Sequence, residues 1–250
     1  MSAPPGRLIA MEGCFNFRDL GGYRAAGGHS LRWRRLFRAD GLHRLTDADR
    51  QRLVELDVRT VLDLRTPSEL DRHGQLSWPG RAFGWRNLAM MDVLPEVDEF
   101  NDTWATTEGV SRQYLSILAG AAPAITEALD TLSQPATYPL VMHCMAGKDR
   151  TGILAAVVLG LIGVADDDII ADYTLSAEAM ERMLGHQRRL LPERAAELDA
   201  SAAAMVHAEP ATMARFLVGL RAEHGTFEGY AASLGRPDAG SALRELLLET

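Results

Sequence analysis

One stretch of the chain concentrates residues capable of covalent chemistry: His143-Cys144-Met145-Ala146-Gly147-Lys148-Asp149-Arg150-Thr151-Gly152. A cysteine is a nucleophile once ionised, and a guanidinium six residues on can grip two oxygens of one anion. The spacing alone is weak evidence, because of 26 basic residues all but Lys148 are arginine. The setting makes it strong. An apolar run, 138–143, leads into Cys144; a small-residue turn follows; a nearly all-apolar segment, 151–164, begins after Arg150. A strand, a turn and a buried helix in that order aim backbone N–H groups of Met145, Ala146, Gly147, Lys148, Asp149 and Arg150, and a helix N-terminus, at one point. Gly147 lets the backbone turn and approach closely. The same field is expected to lower the Cys144 pKa into the range of roughly 3.5–7.5 found at such sites. Cys14 has no such loop after it and reads as structural or incidental.

The elements that must hold this loop are legible in outline. Thr46 is a helix N-cap with Asp47 and Asp49 in the first turn and an apolar stripe to Leu56. Residues 58–64 are β-branched and apolar and read as a strand; 81–89 is a weaker strand. Residues 92–110, with Glu96, Asp98, Glu99 and Asp102, read as an exposed acidic loop. A helix is expected over 112–132, kinked or broken at Pro123. Further helices are expected over 168–184, 210–224, 226–233 and 241–249. On the first, Tyr173, Ala177, Met180 and Leu184 form a stripe that reads as core. Strand and helix alternate over 46–165, so the fold class is α/β with a mostly parallel sheet flanked by helices and a helical C-terminal part. Residues 1–14 read as a flexible N-terminus and 15–250 as one domain.

Composition narrows the function. The chain has 250 residues, 47% hydrophobic and 24% charged, as in ordinary globular proteins. Two cysteines exclude a disulfide-stapled scaffold and a four-cysteine zinc site. The net charge of −8 argues against nucleic acid as a partner, although residues 1–60 hold 11 arginines against 7 acids. The longest apolar run, 153–165, is too short for an integral membrane segment. No apolar leader precedes the body, so the expected location is the cytoplasm, with leaderless export left open. Oligomeric state is not legible.

The loop resembles the phosphate-binding loop of cysteine-dependent protein tyrosine phosphatases, His-Cys-x5-Arg-Thr/Ser. More narrowly, the chain is similar to the atypical bacterial tyrosine and phosphoinositide phosphatases. Asn16-Phe17-Arg18-Asp19-Leu20-Gly21-Gly22, Leu36-Phe37-Arg38-Ala39-Asp40, Val61-Leu62-Asp63-Leu64-Arg65 and Ala171-Asp172-Tyr173 support that match, which runs over about 14–235. The resemblance implies a tyrosine phosphatase-like fold and a two-step reaction without metal or cofactor. Cys144 attacks phosphorus, water hydrolyses the phosphocysteine, Arg150 and the loop amides stabilise the transferring group, and Thr151 bonds the sulfur. It also implies that His143 braces the loop. Arg18 and Arg38 carry over as site or core ion-pair residues, with Asp19, Asp40 and Asp63 as natural partners. For the general acid, Trp78-Pro79-Gly80 lacks the carboxylate of the family's Trp-Pro-Asp triplet; Asp92 matches the position in the narrower group, and Asp149 is its rival. Lys148 points toward phosphoinositides as well as phosphorylated proteins, although lipid-specific relatives carry two lysines in the loop. Residues 168–195 correspond to a helical lid.

Competing readings are weaker. A nucleotide P-loop needs Gly at 142 and Ser or Thr at 149; the chain has Met142 and Asp149. Sulfurtransferases and arsenate reductases also use a cysteine anion loop, but with a different loop length or position. An inactive phospho-ligand binding module would not need both Cys144 and Arg150.

Overall fold

The computed structural model describes residues 6–78, 83–92, 104, 106–194 and 208–249. Five strands form one sheet: β1 (Arg18–Asp19), β2 (Leu36–Ala39), β3 (Thr60–Asp63), β4 (Gly84–Asn87) and β5 (Leu140–His143). Their order is β1-β2-β5-β3-β4; β1 is antiparallel to β2 and every other pair is parallel. The α/β class with a mostly parallel sheet is therefore as expected. Register aligns the carboxyl ends: Asp63 lies opposite both His143 and Asn87, and Ala39 opposite His143. The chain thus leaves β2, β3, β4 and β5 at one edge, where open parallel sheets hold their ligands.

The strands' period of two divides the core. Leu36, Leu62, Leu140 and Met142 join the larger cluster, whereas Phe37, Ala39, Val61 and Val141 join the smaller. The smaller side is covered by α1 (Asp47–Glu55) through Leu53, and by the segment around Phe17. Thr46 caps α1 and Asp49 returns the bond, a reciprocal box. The larger side is covered by α3 (Thr107–Gly120), α4 (Ala122–Leu132), α5 (Asp149–Ile162), α7 (Pro210–His224), α8 (Phe227–Ser233) and α9 (Ala239–Leu247), with the start of α6 (Asp166–Leu190). From Arg150 to Ile162 every residue of α5 is buried, as its all-round apolar sequence requires.

The break expected at Pro123 is present: 112–132 is two helices bent by 73°, with Pro123 in the first turn of α4. Other expectations are corrected. Part of the expected loop 92–110 is helical, since Thr106 caps α3. A short helix, α2 (Pro67–His73), was not expected at all. Residues 7–9, expected to be loose, pair with β1: Ile9 N donates to Phe17 O at 3.1 Å and Asp19 N to Arg7 O at 3.0 Å. Pro79, Gly80, the acidic run 96–102 and residue 195 lie outside the described residues. Among those described, no single helix is long and apolar enough to cross a membrane.

Candidate active site

Cys144 follows the last residue of β5 directly and is buried. The loop then turns into α5. Three successive carbonyls of the turn are tied outward: Met145 O accepts from Gly41 N at 3.0 Å, Ala146 O from Asn16 Nδ2 at 3.0 Å, and Gly147 O from Arg38 Nη2 at 2.6 Å. In a trans peptide the N–H of the next residue points opposite to the carbonyl. Pinning these three carbonyls therefore aims the amides of Ala146, Gly147 and Lys148 the other way, into the turn. Gly147 has φ +66°, and a Cβ there would overlap the Ala39 carbonyl and stand 2.7 Å from Asp40 N.

Arg150 lies in the first turn of α5. Its Nη1 is 2.5 Å from Glu69 Oε2 and its Nη2 2.8 Å from Glu69 Oε1. Glu69 also accepts from Thr66 N at 2.8 Å in the capping box of α2. Burial opposes both charges, but the mutual bonds win. The Glu69 carboxyl lies below its usual range, and Arg150 is held above its own, with Cys144 contributing. Glu69 was missed by the sequence reading; Thr66-Pro67-Ser68-Glu69 was the available signal. Thr151 is fully buried, and its hydroxyl has no hydrogen-bond partner among the described residues.

His143 is buried in β5. Its Nδ1 donates to Cys144 O at 3.0 Å, and Nε2 lies 3.4 Å from Asp63 Oδ2. Burial lowers its pKa, with Asp63 acting against. It braces the loop from behind. Arg18 and Arg38 do not pair with Asp19, Asp40 or Asp63. Both converge on Asp172 of α6: Arg18 Nε is 3.0 Å from Oδ1 and Arg38 Nη1 2.5 Å from Oδ2. Asp63 is taken by Arg65 at 2.6 Å, Asp40 by Arg44 at 2.9 Å, and Asp19 by the amides of Gly21 and Arg34. Long-range packing thus overrides nearness in sequence. Cys14 donates to Asp40 Oδ1 at 2.6 Å, and burial with that carboxylate pushes its thiol up, which fits a structural role.

The two candidate acids sit differently. Asp149 accepts from the Tyr114 hydroxyl, which is 2.9 Å from that of Tyr173, and lies 3.6 Å from Lys148 Nζ. Lys148 itself is buried. Asp92 is exposed, five residues past the end of β4, and lines a small pocket with Met91, Ser116 and Gly120. Of the stripe on α6, Tyr173 lies in the main core, Ala177 is partly buried against it, and Met180 and Leu184 are buried. In addition Ala179, Met180 and Met183 pack with Phe15 and with Ala146 of the loop.

A mostly parallel sheet ending in an amide-lined cysteine loop, closed by a clamped arginine, defines an anion site of the phosphatase type. The sequence model of the tyrosine phosphatase family matches residues 9–249, and the chain belongs to that family. It is 30% identical over 215 residues to the triple specificity protein phosphatase PtpB of Mycobacterium tuberculosis, 74% of each chain. It is 32% identical over 217 residues to a Cupriavidus necator protein that is a tyrosine-protein phosphatase by name, 77% of each chain. A tyrosine-protein phosphatase of Nostoc commune matches at 31% identity over 144 residues, 58% of this chain and 49% of that one. The protein is a phosphatase acting on phosphorylated substrates.

Proposed function

We propose that the chain hydrolyses phosphate monoesters through a phosphocysteine, without a metal, and that its substrates are phosphotyrosine proteins. The observation that carries this reading is the outward pinning of the Met145, Ala146 and Gly147 carbonyls by three separate elements. It preorganises the loop amides for an oxyanion that develops on transfer, where fixed dipoles are most effective.

In the first step the Cys144 sulfur attacks phosphorus in line, the bond from phosphorus to the substrate oxygen breaks, and an acid protonates that oxygen. Arg150, oriented by Glu69, holds two equatorial oxygens. In the second step water attacks the phosphocysteine and the thiolate leaves. The buried, unpartnered Thr151 hydroxyl is suited to bond the departing sulfur. The general acid is Asp92. It lies on the chain that leaves β4 at the loop's edge of the sheet, and the Asp149 carboxylate is engaged by Tyr114. The likeness to a relative named for triple specificity extends the proposal to phosphoserine, phosphothreonine and phosphoinositides. Lys148, the single lysine, is the loop residue through which further phosphates would be accommodated. The α6 segment packed on Ala146 serves as a lid.

The test is phosphate release in EDTA from a phosphotyrosine peptide and from a phosphatidylinositol monophosphate, for wild type and Cys144→Ser. Release that disappears in the variant supports the thiolate mechanism, and the ratio of substrates separates protein from lipid. A folded wild type that releases phosphate from neither overturns the proposal.

A further inference from the structure

Among the described residues, the charges closest to the loop pair off, with one exception. On the α2 side Arg150 is matched by Glu69. Within the loop Lys148 lies beside Asp149, and beyond it are the hydroxyls of Tyr114 and Tyr173. From β3, Asp63 is matched by Arg65, and burial keeps His143 on the neutral side. From β2, Asp40 is matched by Arg44 and hydrogen-bonds the neutral Cys14 thiol. Further back Arg7 donates to Asp19 O and lies over the Tyr23 ring.

The exception is the trio of Arg18, Arg38 and Asp172, each about 1% exposed. Two guanidinium groups share one carboxylate. The other hydrogen-bond partners of Arg18 are neutral: Asn16, the Asp172 carbonyl and Ser176 Oγ at 3.3 Å. Tyr23, also neutral, donates to Asp172 Oδ1 at 3.2 Å. The trio therefore carries one surplus positive charge in a water-poor interior, where an unmatched charge is costly. Arg38 carries that surplus to the loop, with Nη2 2.6 Å from Gly147 O and 3.5 Å from Lys148 O. Burial and Arg18 draw the Arg38 pKa down, while Asp172 and Cys144 act against them.

We propose, on the reading of Cys144 as the nucleophile, that this trio is the buried counter-charge of the Cys144 thiolate. Arg38 is then a positioning residue that both pins the loop and holds its charge. Arg150 also acts on Cys144, but it shares its charge with Glu69, and its remaining N–H groups are left for the substrate's oxygens. The trio balances the anion that remains when substrate is absent.

The experiment is the pH profile of Cys144 alkylation by iodoacetamide, read by mass spectrometry on the Cys144 peptide. It needs no turnover, so it stands apart from the phosphatase assay. Arg38→Met and Arg18→Met each leave one cation on Asp172 and no surplus. Each is expected to move the profile to higher pH, making alkylation on its acid side about tenfold slower for a shift of one unit. Arg18→Met separates charge from pinning, since Arg38 stays on Gly147. Arg38→Lys keeps the charge and is expected to keep the wild-type profile. Asp172→Asn raises the surplus and is expected to move the profile to lower pH. A purely structural trio would leave all the folded variants on the wild-type profile, or shift them without regard to sign, and either result overturns the proposal. Should Arg38→Met not fold, Arg18→Met and Arg38→Lys decide the matter by the same criterion.

Discussion

Glu69 and Arg150 meet in a two-point clamp, Nη1 to Oε2 at 2.5 Å and Nη2 to Oε1 at 2.8 Å, across 81 positions of sequence. The fork leaves the guanidinium no rotational freedom in its plane. Glu69 is itself fixed by the capping box of α2, so a seven-residue helix sets the angle of the loop arginine. The loop arginine is thus oriented from outside the loop.

Glu69→Ala should free Arg150 and leave its charge buried without a partner. Breaking such a pair costs about 3–5 kcal/mol of stability, and a misplaced catalytic group of this kind costs about 100-fold in kcat/KM. Urea unfolding and steady-state kinetics on an aryl phosphate check both. Glu69→Gln keeps the size and part of the capping, and should lose less on each measure. A Glu69→Ala enzyme with unchanged kcat/KM would show that the clamp is not needed.

Gly147→Ala should be among the most damaging single-atom additions in the chain. The residue is left-handed, and its new Cβ would overlap the Ala39 carbonyl at the end of β2. Loop and strand must part, undoing the Gly41 and Arg38 bonds that aim the amides. Gly74→Ala is the control: its φ is +71°, but nothing lies within 4 Å of the added atom. The control should lose only the backbone cost, about 1–3 kcal/mol for a residue at φ +71° and ψ 175°. The loop variant should lose more stability and at least about 100-fold in turnover. Equal effects would refute the steric argument.

The loop was legible because strand, cysteine, small residues and buried helix follow one another without a break, and local signals suffice for that. The cap of α1 was legible for the same reason. What supports the loop was not. In α2 the only buried residue is Glu69, so there is no apolar stripe for periodicity to find. In β2 a buried arginine interrupts Leu36-Phe37-Arg38-Ala39, and the run does not read as a core strand. Asp172 binds Arg18 and Arg38 from 154 and 134 positions away, so nearness in sequence pointed to Asp19, Asp40 and Asp63 instead. Patterning finds elements; the choice among many arginines and acids is made by packing.

Acid stability should carry the signature of His43. Burial pushes its pKa down to about 4, aided by Arg44 and Arg65, and Arg65 Nη1 lies 3.3 Å from its Nδ1. A guanidinium can only donate, so the folded state favours neutral His43. The unfolded chain takes up this proton near pH 6.5 and the folded one near pH 4. Its contribution is therefore complete above about pH 6.5 and is lost as pH falls toward about 4. Urea midpoints of wild type and His43→Gln across that window should show the steeper acid loss in wild type. Parallel curves would remove His43 as the cause.

The choice between the two acids is a leaving-group question. A general acid matters most when the departing oxygen is a strong base, and contributes typically about 10²–10⁴-fold. Asp149 has its carboxylate bonded by Tyr114 and lies beside Lys148 inside the loop, so Asp149→Asn should weaken binding or loop order alike for every ester. Asp92 is exposed on the segment that leaves β4, whose end is in register with Asp63 and, through it, with His143. Asp92→Asn should slow phosphotyrosine peptide about 100-fold while changing 2,4-dinitrophenyl phosphate only a few-fold. The basic limb of the pH profile for the peptide should flatten in the same variant. If instead Asp149→Asn gives the leaving-group dependence and Asp92→Asn does not, the acid resides in the loop, and the Tyr114 hydroxyl becomes the group that must release its hydrogen bond as the proton is transferred.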